Sequence, residues 1–415
     1  MSGKAPARCL DITRLISRAG RGALTGVDRV ELAYLDWLLS GSGPVLAIAR
    51  TRLGYVLVGR AGMVALAACL RGTVDWPRAD PIARLLRRGD PGRARAEVLV
   101  RRHARARATP WGLARMLRRH LPRGAQYFNT GHSNLTARML GAMRAVPDGQ
   151  SAVLIHDVIP LEHPEWTRPG VPETFAAKLR RVAALADLVI YNSVDTRQRA
   201  EAQMRALGRV PPGVVAHLGV DVAHPDAGAL PTGLPPPVPY FMALGTIEPR
   251  KNHALLLDVW EGLITNPPPG PIPTLIVAGR RGWRNAAVFA RLDRARANGS
   301  PIIERADLSD GALAALMAGA AALLQPSRAE GYGLPPLEAA ALGTPVICAD
   351  LRVYRETMGG FPVYLNADDP YPWREAILQR AQAQIDATKA GAQDRAGRDV
   401  PTWQAHFNTV LSAFG

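Results

Sequence analysis

The chain has 415 residues, of which 47% are hydrophobic and 21% charged, and a formal net charge of +16 at pH 7. This length predicts two domains rather than one core, and the composition excludes a wholly disordered chain. Its three cysteines (Cys9, Cys69 and Cys348) form no CxxC pair, which argues against a disulfide framework or a zinc site and favours the cytoplasm. No signal-peptide core and no apolar run of about 18 uncharged residues is present, so we expect no spanning helix.

Short apolar runs, typical of strands, alternate with helical stretches along the whole chain. The first series of predicted strands comprises Cys9–Ile12, Val45–Ala49, Tyr55–Val58, Gln126–Asn129, Ala152–His156, Leu188–Asn192 and Val214–His217. The second series comprises Tyr240–Leu244, Thr274–Ala278, Ile302–Glu304, Ala322–Gln325, Pro345–Cys348 and Val363–Leu365. Predicted helices such as Ala254–Leu263 and Gly311–Gly319 separate them. This alternation is typical of parallel sheets covered by helices on both faces.

The two series of strands are separated by a proline-rich stretch, residues 231–239 (PTGLPPPVP), which would act as a stiff linker. We therefore predict an N-terminal domain over residues 1–230 and a C-terminal domain over residues 240–396. A helical segment over residues 397–415 is expected to pack back on the N-terminal domain. The predicted fold class is α/β, with two Rossmann-like, doubly wound domains facing a cleft, and ligands should bind at the carboxyl ends of the strands.

Positive charge is concentrated between Arg84 and Arg123, where thirteen arginines occur with only two acids, Asp90 and Glu97. One interpretation is a solvated helix face. Another is a surface for anionic lipid headgroups, to which each basic side chain contributes roughly 1 kcal/mol, and this would place the protein at the inner membrane. Nucleic acid is not an expected partner, because the segment holds one aromatic residue, Trp111, and no recognisable binding motif.

The most informative stretch is Arg328–Thr344 (RAEGYGLPPLEAAALGT), which follows a predicted buried strand. A helix should open at Pro335–Pro336, because proline suits a first helical turn, with Glu330 before the helix and Glu338 inside it. A glycine-flanked loop that enters a helix presents free N–H groups to a diphosphate. The two carboxylates could accept hydrogen bonds from sugar and ribose hydroxyls. Taken alone, the stretch could equally hold two exposed glutamates without a binding role.

A second stretch, Leu244–His253 (LGTIEPRKNH), places two cations at the mouth of the second predicted sheet. The strand ends at Leu244, Gly245 turns the chain, and Arg250 and Lys251 precede the next helix. Cations at this position are suited to neutralising a pyrophosphate leaving group. A solvated helix start is the alternative interpretation of this stretch alone.

Together the two stretches resemble glycosyltransferase family 4. The signature of this family is E-x7-E in the C-terminal domain, matched by Glu330 and Glu338, with an earlier basic pair, matched by Arg250 and Lys251. The resemblance runs over roughly residues 150–370, and further matching segments are Ala186–Ser193 (ADLVIYNS), His217–Asp221 (HLGVD), Leu275–Arg280 (LIVAGR) and Asp350–Glu356 (DLRVYRE). The resemblance implies a GT-B fold, a nucleotide sugar held mainly by the C-terminal domain, and retention of anomeric configuration.

The resemblance also implies roles for individual residues. Glu330 would contact the hydroxyls of the donor sugar, Glu338 the ribose, and Arg250 and Lys251 the diphosphate. The backbone lining the phosphate and the sugar would be that of Gly245, Gly331, Tyr332, Gly333 and Leu334. The loop Ala306–Asp310, with Leu308, matches the segment that cradles the base. Members of the family often carry an arginine where this chain has Thr246, which puts one phosphate contact in doubt.

In the N-terminal half, His156 ends a predicted strand and should emerge at the carboxyl end of the sheet, in the segment IHDVIP. The family has a histidine at the matching position, beside the donor sugar. Asp157 and His132 are weaker candidates on the acceptor side. Gly26, in a loop that resembles the glycine-containing loop of the family, could approach the phosphates closely, although the glycines do not spell GxGxxG.

These residues predict a retaining glycosyltransferase that moves a hexose from a nucleotide diphosphate sugar to a glycan or lipid-linked glycan acceptor. The segments GTIEPRKN and IHDVIPLEHPEW most resemble bacterial polysaccharide mannosyltransferases, so GDP-mannose is the first candidate donor. Because no two aspartates form a DxD motif, we expect no metal site and no cofactor. Two alternatives stay open: a sugar-nucleotide epimerase or phosphorylase on a similar frame, and a non-catalytic basic protein that binds membranes or nucleic acid.

Overall fold

A computed structural model describes residues 6–22, 24–390 and 396–414. The described chain forms two sheets. Strands of the first sheet are β1 (Arg8–Asp11), β2 (Val45–Thr51), β3 (Gly54–Gly59), β4 (Ala104–Ala108), β5 (Gln126–Asn129), β6 (Gln150–Ile155), β7 (Leu188–Tyr191) and β8 (Gly213–Val215). Strands of the second sheet are β9 (Tyr240–Leu244), β10 (Thr274–Ala278), β11 (Ile302–Arg305), β12 (Ala322–Gln325), β13 (Val346–Ala349) and β14 (Val363–Leu365).

The first sheet has the order β4-β3-β2-β1-β5-β6-β7-β8. Strands β2, β1 and β5 to β8 are parallel, whereas β3 pairs antiparallel with both β2 and β4. The sequence did not predict β4 (ARARA), because its alternating arginines contain no apolar run. The antiparallel edge also departs from the expectation of parallel strands throughout, since a two-residue turn joins β2 to β3 and leaves no room for a crossover helix.

The second sheet is parallel throughout and has the order β11-β10-β9-β12-β13-β14. This is the order of a doubly wound nucleotide-binding domain, in which the strand order reverses between the first strand and the fourth. Here the reversal lies between β9 and β12. The chain segments that follow these two strands therefore meet at one edge of the sheet.

Helices flank both sheets and bury their apolar faces against the strands. In the first half they are α1 (Thr13–Arg18), α2 (Gly26–Ser40), α3 (Arg60–Leu70), α4 (Pro81–Leu86), α5 (Pro91–Arg102), α6 (Leu113–His120), α7 (Ala137–Met143), α8 (Ile159–Glu162), α9 (Val171–Leu185) and α10 (Val194–Arg205). In the second half they are α11 (His253–Thr265), α12 (Ala286–Ala297), α13 (Asp310–Gly319), α14 (Leu334–Ala341), α15 (Arg352–Met358), α16 (Pro370–Lys389) and α17 (Trp403–Ser412). Within the described ranges, no helix combines the length and the apolar character needed to cross a membrane.

The arginine-rich segment is not one continuous solvated face, as one interpretation of the sequence had it. Arg87 and Arg93 turn inward and pair with the buried carboxylate of Glu97. Arg101 is buried and pairs with Asp80 at 2.6 Å. Exposed arginines are spread over the segment, and three of them, at positions 115, 118 and 119, lie on α6, which buries its leucines and methionine.

The terminal helix α17 lies against α2 of the first domain. The ring of Phe407 stacks on that of Trp37 with centroids 4.2 Å apart. His406 is buried, its Nε2 lies 2.8 Å from the Tyr34 hydroxyl, and its Nδ1 lies 3.1 Å from the carbonyl oxygen of His217. The imidazole therefore joins the last helix to the end of the first sheet.

We expect His406 to make stability fall on mild acidification. Burial lowers the pKa of His406 to about 4, whereas the unfolded chain has a histidine pKa of about 6.5. Below about pH 6.5 the unfolded state binds a proton that the folded state does not, so the free energy of unfolding falls with pH until the folded pKa is reached. Between pH 7 and pH 5 the wild type should lose about 2 kcal/mol more than His406→Gln in urea denaturation. Parallel losses in the two proteins would contradict this, and the exposed His224→Gln is the control.

Candidate active site

The two predicted cations lie on one turn at the carboxyl edge of the second sheet. After β9 the chain turns at Gly245, and a 3-10 turn, Pro249–Lys251, carries Arg250 and Lys251 into the cleft. Gly245 has a φ of +134°, and the Lys251 side chain passes close above it. Glycine is needed here because a side chain would be strained at this φ.

Glu330 lies between the two cations. Its Oε2 accepts a hydrogen bond from Arg250 Nη1 at 2.7 Å, and its Oε1 accepts one from Lys251 Nζ. Glu248, which the sequence reasoning did not single out, forms an ion pair with Arg250, and its Oε1 lies 2.6 Å from the Arg250 Nε. The sequence-predicted residues Glu330, Arg250 and Lys251 are thus brought together, and we call these three with Glu248 the ion cluster.

The ion cluster is buried, and its charges stabilise one another. Burial alone would raise the pKa of Glu330, but Arg250 and Lys251 outweigh it and hold that pKa at about 2. Glu330 is therefore a carboxylate at neutral pH and a hydrogen-bond acceptor only. The contacts described for Arg250 use Nε and Nη1, and the ammonium of Lys251 has three donors, so both cations keep donors for a phosphate.

Glu338 faces the first domain. It lies on α14, whose N-terminus is set by Gly333 at a φ of +91°. Its carboxylate forms an ion pair with Arg29 of α2 at 2.5 Å. Beside this pair, a Cβ atom on Gly26 would lie 3.7 Å from the Leu334 side chain. The starts of α2 and α14 therefore face each other across the cleft, and Arg29 is a residue that the sequence reasoning missed.

His156 and Asp157 close the opposite side of the ion cluster. His156 Nε2 lies 2.6 Å from the carbonyl oxygen of Thr130, and burial lowers its pKa to about 4, so the ring is neutral at pH 7. A Cβ atom on Gly331 would lie 2.2 Å from the His156 carbonyl oxygen and 3.0 Å from the Asp157 side chain. Only a glycine lets the Gly331 loop approach the first domain this closely.

His132 adjoins His156 on the first domain, because it follows β5 as His156 follows the neighbouring β6. The two rings have centroids 5.5 Å apart, and His132 Nε2 approaches the carbonyl oxygen of Leu154. Burial, reinforced by His156, lowers the pKa of His132 to about 3. Both imidazole rings are thus neutral at pH 7, and they line this side of the site as hydrogen-bonding groups without positive charge.

Two of the predicted donor residues have side chains directed elsewhere. The Tyr332 hydroxyl donates to the carbonyl oxygen of Leu218 at 2.8 Å, so this ring packs on the segment after β8 and leaves only its backbone for a ligand. Leu308 is half-buried on the loop between β11 and α13 and packs against the core.

Further hydrogen bonds hold the two domains together around the cleft. Glu356 of α15 accepts from the backbone N–H of Val194 at 2.6 Å and of Asp195 at 3.1 Å, and its carboxylate pairs with His217. Arg280 donates to the carbonyl oxygen of Arg21 at 2.8 Å. Such pairs leave no signal in a single sequence, because they depend on how the domains dock.

Two facing doubly wound domains, with an ion cluster at the carboxyl edge of the second sheet, define a GT-B architecture. Residues 231–360 match the family model of glycosyl transferases group 1. The resemblance to glycosyltransferase family 4 is therefore confirmed over the residues matched, and residues 231–360 form a domain of the glycosyl transferases group 1 kind.

Among curated relatives, the chain is 30% identical over 240 residues to the serotype-specific mannosyltransferase WbdA of Escherichia coli, which covers 54% of this chain and 29% of WbdA. It is 31% identical over 141 residues to the O-antigen chain mannosyltransferase RfbU of Salmonella typhimurium, which covers 33% of this chain and 37% of RfbU. The chain thus spans well under half the length of these relatives.

Among solved structures, the chain resembles the Anabaena protein Alr3699/HepE, crystallised in complex with UDP-glucose. The TM-score is 0.61 at 14% identity, and the match covers 98% of this chain and 99% of the other. At this identity the likeness shows the fold alone. The predicted fold of two Rossmann-like domains facing a cleft is confirmed.

Proposed function

We propose that the protein transfers a hexosyl group from a nucleotide diphosphate sugar to a glycan or lipid-linked glycan acceptor, with retention of configuration, in the synthesis of a bacterial surface polysaccharide. The observation that carries this proposal is the ion cluster, in which Arg250 and Lys251 flank Glu330 and Arg250 interacts with Asp157 of the first domain. GDP-mannose is the first candidate donor, a choice supported by the mannosyltransferase relatives.

In the proposed reaction, the bond between the sugar C1 and the diphosphate oxygen breaks, and its electron pair leaves with the diphosphate. The acceptor hydroxyl attacks C1 from the same face, and its proton passes to the departing phosphate oxygen. Charge therefore develops on the diphosphate, and preorganised donors lower the barrier most where charge develops. Arg250 and Lys251 supply these donors, so the mechanism requires neither a metal ion nor a protein nucleophile.

The remaining predicted residues would position the donor. Glu330 would accept hydrogen bonds from the sugar hydroxyls. Glu338 would accept hydrogen bonds from the ribose hydroxyls after its ion pair with Arg29 has broken. His156, neutral at pH 7, would hydrogen-bond to the sugar or orient the acceptor hydroxyl. The backbone of the Gly331 loop would line the phosphates, and closure of the domains over it would exclude water.

A thermal-shift screen against GDP, UDP, ADP and their common sugars, with and without EDTA, tests the donor. A ligand at about 100 times its dissociation constant should add roughly 2.7 kcal/mol to the free energy of unfolding. We expect a shift with the GDP series that EDTA does not change and that Lys251→Ala and Glu338→Ala weaken. The exposed Glu375→Ala is the matched control. A shift with UDP alone would overturn the choice of base, and no shift with any nucleotide would favour the non-catalytic alternative.

We further propose that the protein works at the cytoplasmic surface of the inner membrane, through the outward arginines of α6. Trp111, just before α6, is 88% exposed, and the guanidinium of Arg138 lies 5.5 Å from its ring centroid. Amphipathic aromatic rings and basic side chains suit an anionic headgroup layer. In liposome flotation we expect binding to phosphatidylglycerol vesicles but not to phosphatidylcholine vesicles, and loss of binding when Arg115, Arg118 and Arg119 are replaced by Gln. Equal binding to both vesicles would exclude this role.

A further inference from the structure

A second polar cavity lies in the first domain, away from the ion cluster. It has a volume of about 530 Å³ and is lined by four arginines, Arg50, Arg52, Arg87 and Arg93, together with hydroxyl side chains that include Thr13 and Ser133. The cavity sits where β1, β2 and β5 end, because Thr13 follows β1, Arg50 and Arg52 flank the end of β2, and Ser133 follows β5. We call it the arginine cavity.

The arginine cavity carries more positive charge than its surroundings neutralise. Arg87 and Arg93 share the single carboxylate of Glu97, which is buried. Over residues 6–22, 24–390 and 396–414, neither the Arg50 nor the Arg52 guanidinium forms an ion pair with a carboxylate. The arginine cavity thus has four guanidinium groups in its lining and one carboxylate paired with them, and its volume is large enough for a ligand.

Two acids near this cavity are already engaged. Asp11, below Thr13, accepts hydrogen bonds from Thr13 N, Tyr127 Oη and Asn134 Nδ2 at 2.8 to 3.0 Å. Asp90 pairs with Arg21 and accepts a hydrogen bond from the backbone N–H of Arg93 at 3.1 Å. Folding has therefore brought guanidinium groups from β2 and from the α4–α5 segment to one place without a matching set of carboxylates. Guanidinium groups gathered in one place repel one another, and a bound anion would supply the missing counter-charge.

The position of the arginine cavity relates it to the acceptor and not to the donor. Ser133 is the neighbour of His132, whose ring lies beside that of His156. The cavity therefore lies next to the histidine pair, on the side of the first domain. A group bound there would be attached to whichever molecule approaches the donor sugar from the side of the first domain.

We propose that the arginine cavity binds a phosphate or diphosphate group of the acceptor. Its assignment to the acceptor rests on the proposed function, but anion binding itself does not. Guanidinium groups bind phosphate oxygens in bidentate pairs, and several of them around one cavity match the multiple charges of a phosphate ester. The same phosphate could belong to a lipid-linked glycan or to a soluble sugar phosphate.

Titration calorimetry with glucose 1-phosphate, and separately with dodecyl phosphate below its micelle concentration, tests this proposal. Arg50→Gln/Arg52→Gln should bind the preferred probe about tenfold or more weakly, because two charge-assisted contacts are lost. Both arginines are exposed, so the variant should fold, and its melting temperature checks this. Arg123→Gln, an exposed arginine elsewhere in the domain, should bind as the wild type does. Arg87→Gln gives a second, more buried test of the same cavity.

The outcomes separate this site from the donor site and one phosphate source from the other. Saturating the donor site with the nucleotide that raises the melting temperature should leave the affinity for the probe unchanged. An unchanged affinity in Arg50→Gln/Arg52→Gln would overturn the proposal. Tighter binding of dodecyl phosphate supports a lipid-linked acceptor, and tighter binding of glucose 1-phosphate supports a soluble one. If the nucleotide screen fails while the cavity variants still lose the probe, the proposed function falls and the anion site stands.

Discussion

Replacing Lys251 with Met is expected to lower the free energy of unfolding by about 3 kcal/mol. The substitution keeps the length and the apolar stem of the side chain but leaves Glu330 buried with one partner fewer. Removing one member of a buried ion pair costs about 3–5 kcal/mol, and the contact that Glu330 retains with Arg250 places this case near the lower end. Urea denaturation followed by tryptophan fluorescence measures it, since Trp260 and Trp373 lie in the core of the second domain.

The double variant Lys251→Met/Glu330→Gln distinguishes a loss of pairing from a loss of packing. Because both charges are then gone, its cost should fall short of the sum of the two single costs by about 1–3 kcal/mol. Arg123→Met, which breaks the exposed pair of Arg123 with Asp148, should cost less than about 1 kcal/mol. Additive single costs would show that the residues of the ion cluster do not act as a pair.

Much of the fold could be predicted because its strands are short apolar runs that differ sharply from their surroundings. Strands β5, β9, β10, β12 and β14 have the bounds expected from the sequence. The strand β4 could not be found, because its edge position tolerates alternating arginines and no apolar run marks it. Which strands lie side by side is decided by contacts distant in sequence, so the antiparallel edge of the first sheet was equally hidden.

Arg250, Lys251 and Glu330 of the ion cluster could be predicted from the sequence, because they follow the two strands at which the order of the sheet reverses. The basic pair follows β9, Glu330 follows β12, and these strands are neighbours. By contrast, the pairing of Arg29 with Glu338 depends on how two domains dock. The arginine cavity was hidden for a related reason, since Arg87 and Arg93 reach it only because α4 and α5 fold back over the first sheet.

If the proposed transfer is correct, replacing Arg250 with Gln should lower kcat by about 100- to 1,000-fold, the loss typical when one preorganised donor to a developing negative charge is removed. Gln keeps a planar amide that can still donate to Glu330, so much of the local geometry should survive. Since the missing charge acts mainly on the departing diphosphate, kcat should fall more than the affinity for the donor.

The control for this loss is Arg328→Gln. Arg328 is the nearby arginine at the rim of the site, 43% exposed and paired with Asp368, and its replacement should change kcat less than about threefold because exposed ion pairs contribute little. Arg250→Lys should retain more activity than Arg250→Gln, because it keeps the charge while losing the planar fork. Turnover with the best donor from the nucleotide screen, measured alongside the melting temperature of each variant, decides the matter. An unchanged kcat in a folded Arg250→Gln would remove Arg250 from the transfer step and leave it a structural partner of Glu248 and Glu330.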